Sequence, residues 1–124
     1  MSSNILIADD DRTIAHLIKE IVERRGSTAF VAYDGEQATK IFNNFKVDLI
    51  ITDLKMPNID GMGLIKMVRQ KNPDIPIIII TGYGSDENYA LAQTYGVSEF
   101  LSKPCSVMDI SRAIENALNQ TDHS

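Results

Sequence analysis

Groups able to do chemistry stand at the ends of short apolar runs. Asp9-Asp10-Asp11 follows Ile5-Leu6-Ile7-Ala8, and Asp53 ends the run Leu49-Ile50-Ile51-Thr52. Thr81-Gly82 follows Ile77-Ile78-Ile79-Ile80, and Ser102-Lys103-Pro104 follows Glu99-Phe100-Leu101. If those runs lie side by side, two or three carboxylates, one hydroxyl and one ammonium meet at one rim. Carboxylates crowded together raise each other's pKa unless a positive charge sits among them. A hard divalent ion with oxygen ligands suits such a set, and Mg²⁺ takes one or two carboxylates plus phosphate oxygens. The hydroxyl and the ammonium then suit the remaining phosphoryl oxygens. This is a constellation for phosphoryl transfer, in which positioning and charge neutralisation carry the reaction. Asp53 is the central carboxylate and the best nucleophile of the set.

The elements that must position these groups alternate along the chain. Strands are expected at Ile5-Leu6-Ile7-Ala8, residues 28–32, Leu49-Ile50-Ile51-Thr52, residues 77–80 and Glu99-Phe100-Leu101. The first, third and fourth are continuous Ile/Leu runs, as in strands buried on both faces, so the second and fifth should be the edges. Between them lie helical patterns. Ile14, Leu17, Ile18, Ile21 and Val22 form one stripe closed by Gly26. Asp34 with Gln37 resembles a capping box before Ala38, Ile41, Phe42 and Phe45. Leu64, Ile65 and Val68 mark a helix over 61–70 stopped by Asn72-Pro73, and Ser106 with Asp109 opens a last stripe of Val107, Ile110, Ile114, Ala117 and Leu118. The segment from Ser85 to Tyr95 should also be helical, with a thin apolar face of Ala90, Ala92 and Tyr95 that holds it weakly. Five strands alternating with five helices predict a doubly wound α/β domain, (βα)5, with a five-stranded parallel sheet. Its function should collect beyond the carboxyl ends of the strands.

The 124 residues suit a single domain over 1–124, with its core at about 4–119 and short tails. Hydrophobic residues at 44% and charged residues at 23% are ordinary for a globular chain. A net charge of −5 disfavours direct nucleic-acid binding, and no basic stripe offsets it. The single cysteine, Cys105, excludes an internal disulfide and reads as a small packing residue; His16 and His123 read as surface groups. The longest apolar run is too short to cross a membrane and the N-terminus lacks a secretory pattern, so a cytoplasmic location is expected.

Four segments resemble the receiver domain of two-component response regulators, of the chemotaxis-regulator-like kind; the resemblance covers nearly the whole chain and implies the flavodoxin-like strand order 2-1-3-4-5. They are Ile5-Leu6-Ile7-Ala8-Asp9-Asp10-Asp11, the stretch from Asp48 to Gly61 through Asp53-Leu54-Lys55-Met56-Pro57, Ile80-Thr81-Gly82, and Phe100-Leu101-Ser102-Lys103-Pro104. The resemblance implies that Asp53 accepts a phosphoryl group from a sensor histidine kinase or phosphotransfer protein. It implies Mg²⁺, with Mn²⁺ able to substitute, on Asp10, Asp53 and the Lys55 backbone carbonyl, with Asp9 acting through a water. Thr81 and Lys103 would bind phosphoryl oxygens, and Thr81 and Phe100 would form the switch. Lys55 and Tyr83 would tune phosphoryl lifetime, and Lys103-Pro104 would be cis. Output would leave by the fourth helix, fifth strand and fifth helix. The receiver would serve a downstream output domain or partner protein there, a homodimer being one form of partner. Such a domain is no enzyme beyond its own phosphorylation and dephosphorylation. No output segment follows Leu118, which fits a stand-alone receiver or a piece of a larger regulator.

Other readings exist for each part. The aspartate triplet could be only a helix cap, Asp53 a turn residue, Lys103 a solvated charge and Phe100 core packing. A haloacid-dehalogenase-type phosphatase needs a second aspartate two positions after its nucleophile, where Lys55 stands. A flavin carrier needs a hydroxyl- and glycine-rich first loop, where the aspartates would repel phosphate. A receiver used only as a dimerising module would not need the intact acidic set.

Overall fold

The computed structural model describes residues 3–121. Strands β1 (Asn4–Ala8), β2 (Thr28–Ala32), β3 (Leu49–Thr52), β4 (Ile77–Thr81) and β5 (Glu99–Ser102) alternate with five helices. These are α1 (Arg12–Arg24), α2 (Gly35–Asn44), α3 (Gly61–Lys71), α4 (Asp86–Thr94) and α5 (Val107–Thr121). All strand pairs are parallel, in the order β2-β1-β3-β4-β5. The sheet therefore has the expected order, with β2 and β5 at its edges. Of the expected tails, residues 1–2 and 122–124, with His123, lie outside the described residues; Gln120 and Thr121 extend α5.

The Ile/Leu runs divide between two cores because strand side chains alternate faces. Ile5, Ile7, Leu49, Ile51, Ile78 and Ile80 pack under α1 and α5. Leu6, Ala8, Ile50, Ile77 and Ile79 pack on the other face with Leu64, Ile65 and Val68 of α3 and Ala38 of α2. Fully burying each Ile, Leu or Val among them is worth about 1.5–3 kcal/mol before chain entropy is counted.

Helix registers depart from the simple stripes. In α1 the buried face is Ala15, Ile18, Ile21 and Val22, while Leu17 is 37% exposed. The small Ala15 lets the helix lie close to the sheet, and Leu17 turns to its flank. Val107 is likewise exposed in α5, whose buried face is Ile110, Ala113, Ile114 and Ala117. In α4 only Ala92 is buried and Ala90 is exposed, so this helix is held more thinly than its sequence stripe implies. Its C-terminal end is fastened by Arg69 of α3, whose guanidinium donates to the carbonyls of Tyr95, Gly96, Asn72 and Ile75.

Caps follow the predicted chemistry. Asp34 accepts from the Gln37 amide, and the Gln37 side chain accepts from the Tyr33 amide. Ser106 and Asp109 cap each other reciprocally. Asp60, not among the expected caps, caps α3 through the Gly63 amide.

Candidate functional site

The carboxyl ends of β1, β3, β4 and β5 meet at one rim. The sheet fixes them there: the Asp53 amide donates to the Ala8 carbonyl (2.9 Å), and the Lys103 amide donates to the Thr81 carbonyl (2.8 Å). Asp9, Asp10 and Asp53 each present a carboxylate oxygen, and these oxygens all lie within 4.8 Å of one another. Asp9 and Asp53 are 2% and 4% exposed, whereas Asp10 is open to solvent. Lys103 Nζ lies 2.6 Å from Asp53 Oδ2 and 2.9 Å from Asp9 Oδ2. Three carboxylates and one ammonium leave a formal charge of minus two, which favours a divalent cation.

The aspartate triplet has two jobs. Asp11 caps α1, accepting from the amides of Thr13 and Ile14. Asp9 turns back into the pocket and accepts the Asp11 amide at 2.9 Å. The cap reading thus holds for Asp11, while Asp9 and Asp10 face the acidic cluster. Burial pushes the Asp9 carboxyl above the ordinary carboxylate range, although the Asp11 amide and the Lys103 ammonium pull it back. Burial pulls Lys103 down, but its bonds and charge contacts with Asp53 and Asp9 outweigh burial and leave the ammonium above the ordinary lysine range.

Asp53 is held at both oxygens. Its Oδ1 accepts from the Leu54 amide (2.6 Å) and the Lys55 amide (3.4 Å), and its Oδ2 takes the Lys103 ammonium. The following loop is braced against the β2–α2 corner. Asn58, at φ 69°, donates from Nδ2 to Asp34 Oδ2, and the Gly35 amide donates to the Pro57 carbonyl. Neither contact has a local sequence signal, since each depends on where two distant loops land.

Thr81 is fully buried, and its hydroxyl accepts from the Tyr83 amide at 3.1 Å. That leaves the hydroxyl proton for another acceptor. Thr81, Lys103 and Phe100 line one open recess of about 380 Å³ with Gly84 and Tyr89. Phe100 is half-buried and meets the Tyr89 ring edge-on at 5.6 Å. Lys55 Nζ lies over the exposed Tyr83 ring at 4.6 Å, joining the β3–α3 and β4–α4 loops. The Lys103-Pro104 peptide is cis. Cys105 is half-buried, and burial, with Asp109 nearby, raises its thiol pKa, which makes it a poor nucleophile. His16 is exposed, beside Glu20.

Fold and site together define a doubly wound α/β protein with a cation-seeking acidic pocket beyond the carboxyl ends of its central strands. The chain belongs to the response regulator receiver domain family, whose model matches residues 5–115. It is thus a receiver domain of two-component systems. It is 34% identical over 119 residues to the transcriptional regulatory protein GlrR of Escherichia coli, covering 96% of this chain and 27% of that protein. It is 37% identical over 120 residues to the response regulator GtcR of Aneurinibacillus migulanus, covering 97% and 49%. The chain thus spans about a quarter to a half of the length of these curated relatives. Among solved structures, it is 35% identical to a response regulator receiver domain protein from Clostridium thermocellum, with a TM-score of 0.88 and 97% of each chain covered. A CheY-like receiver domain protein from Methanospirillum hungatei matches with a TM-score of 0.94 at 27% identity, covering 98% of each chain. Among the described residues, no helix is long and apolar enough to cross a membrane.

Proposed function

We propose that Asp53 is the phosphoacceptor of this receiver domain and that its donor is a sensor histidine kinase or phosphotransfer protein. The observation that carries this reading is the Lys103 ammonium, 2.6 Å from Asp53 and 2.9 Å from Asp9. It places a cation where charge added to Asp53 must be neutralised. The hard oxygen donors of the pocket fit Mg²⁺, with Mn²⁺ as a substitute, on Asp10, Asp53 and the Lys55 carbonyl, Asp9 reaching it through a water. When bound, such an ion offsets the negative charge of carboxylate and phosphoryl oxygens alike.

An Asp53 carboxylate oxygen attacks phosphorus, the bond from phosphorus to the donor's histidine nitrogen breaks, and its electron pair returns to the imidazole. Lys103 stays beside the acyl phosphate, and Thr81 donates its hydroxyl proton to a phosphoryl oxygen. Burial of Asp53 limits water at the acyl carbon. Lys55 and Tyr83, stacked at the mouth of the pocket, tune how long the phosphoryl group survives. Incubation with acetyl phosphate and Mg²⁺ should add the mass of one phosphoryl group to the wild type and nothing to Asp53→Ala; equal labelling of both would overturn the assignment. Asp10→Ala should weaken Mg²⁺ binding by at least ~10-fold, read by titration. An unchanged affinity would remove Asp10 from the metal site.

Output follows from the recess between Thr81 and Phe100. When Thr81 moves to a phosphoryl oxygen, Phe100 can turn into the space, and the thinly held α4 shifts with it. The face of α4, β5 and α5 then meets an output domain, a partner protein or a second copy in the cytoplasm, without direct nucleic-acid contact. Beryllofluoride, a phosphoryl mimic, should shift NMR resonances from Thr81 to Phe100 far more than those on the outer face of α1. Thr81→Ala should lose much of that remote shift. Shifts confined to the pocket would eliminate this relay.

A further inference from the structure

Arg12 opens α1, a position where the helix axis presents its positive end and a cation is locally disfavoured. No acidic side chain occupies that first turn, and among the described residues no ion pair holds Arg12. Instead, its guanidinium lies over an aromatic ring, the guanidinium carbon 4.0 Å from the centroid of Tyr33. Such a contact steadies the guanidinium without using its N–H donors, which stay available to another partner. Arg12 is exposed and Tyr33 half-buried.

The pair stands on the rim of the acidic pocket. Arg12 comes two positions after Asp10, and the intervening Asp11 amide donates to Asp9 Oδ1. Tyr33 comes directly after Ala32, whose carbonyl accepts the Asp9 amide at 3.1 Å. The stacked pair Lys55–Tyr83 stands on the opposite, β4 side. The pocket itself carries an excess of negative charge before any ion enters. A phosphodonor is also an anion, and even with a divalent ion bound the pocket is at best neutral, so positive charge fixed at the entrance speeds its approach.

We infer that Arg12, held on Tyr33, is a docking residue for the phosphoryl oxygens of the incoming donor. It acts on the encounter and leaves the bond exchange at Asp53 to Lys103 and Thr81. The inference rests on the proposed role of Asp53. The recognised chemistry is a phosphoryl group with at least two anionic oxygens, matched by the guanidinium fork. A small acyl phosphate and a phosphorylated histidine both offer it.

The test measures labelling rate against donor concentration at saturating Mg²⁺ in wild type, Arg12→Gln, Arg12→Lys and Tyr33→Leu. With acetyl phosphate at low salt, Arg12→Gln should lose about 3- to 10-fold in the second-order rate while its limiting rate at saturating donor stays the same. The difference should shrink in high salt as the fixed charge is screened. Arg12→Lys should recover part of the loss, and Tyr33→Leu should show a smaller loss of the same kind. Phosphoramidate, with less negative charge and a P–N bond like that of phosphohistidine, should show a smaller effect; a larger one would assign Arg12 to the imidazole side of a protein donor and overturn phosphoryl docking. Wild-type labelling at Asp53 with an unaltered Arg12→Gln rate overturns the inference alone. A wild type that takes no label at Asp53 overturns both this inference and the phosphoacceptor reading. A fall in limiting rate would show a disturbed site and also contradict the docking role.

Discussion

Lys103→Ala is expected to destabilise the ion-free protein by about 3 kcal/mol at neutral pH. The substitution leaves Asp9 and Asp53, both nearly inaccessible to solvent, without the ammonium that bonds them at 2.9 and 2.6 Å. Uncompensated buried charge is costlier than the loss of a surface pair. The Lys103 side chain keeps 19% of its exposure, which sets the effect at the lower edge of the range for buried pairs. In a domain of this size the melting temperature should fall by roughly 10 °C or more. The folded-state pKa of Lys103 is raised, so its contribution is complete below the unfolded lysine value and fades only as pH rises through the higher folded value. Mg²⁺ should stabilise Lys103→Ala more than it stabilises wild type, because the ion replaces a missing positive charge. Denaturant titrations of both proteins, with chelator and with Mg²⁺, check this. Equal midpoints in chelator would mean that the Lys103 ammonium does not stabilise the folded pocket.

Gly61→Ala should cost about 2–3 kcal/mol and slow phosphorylation as well. A Cβ at Gly61 would come within 2.0 Å of the Asp53 carbonyl oxygen and 2.7 Å of Leu54 Cα. Both are backbone atoms, so relief requires moving the peptide that carries Asp53. The Gly61 amide also donates to the Leu54 carbonyl at 2.8 Å, tying the start of α3 to the same peptide. Gly82→Ala is the comparison, because its Cβ would meet only Lys103 Cβ at 3.9 Å, an ordinary contact. Thermal unfolding should separate the two variants clearly. A Gly61→Ala protein as stable as Gly82→Ala would contradict the close approach.

The central strands were legible because a run such as Ile77-Ile78-Ile79-Ile80 feeds both cores, and only a strand covered on both faces needs that pattern. The positions of Asp53, Thr81 and Lys103 at one rim were legible because each stands at the carboxyl end of a strand, Asp53 just after β3, Thr81 as the last residue of β4 and Lys103 just after the edge strand β5. The stripe of α1 was only partly so: periodicity favoured Leu17, but close packing on the sheet selected the smaller Ala15. Ala90 fell on the open side of α4, which meets the rest of the domain through Ala92, its one buried residue, and through Tyr89 on Phe100. The links Asn58–Asp34, Arg69 to the ends of α3 and α4, and Arg12–Tyr33 join segments remote in sequence. Their geometry follows from the assembled sheet and leaves no mark in local spacing.

Borohydride trapping locates the acceptor most directly. Reduction of an aspartyl phosphate expels phosphate and converts the residue to homoserine. Protein loaded with acetyl phosphate and Mg²⁺, reduced, digested and mapped by mass spectrometry, should carry homoserine in place of Asp53 and leave Asp9 and Asp10 unchanged. Homoserine at Asp9 or Asp10, or a phosphorylated protein whose Asp53 survives reduction intact, would contradict the assignment of phosphoryl chemistry to Asp53.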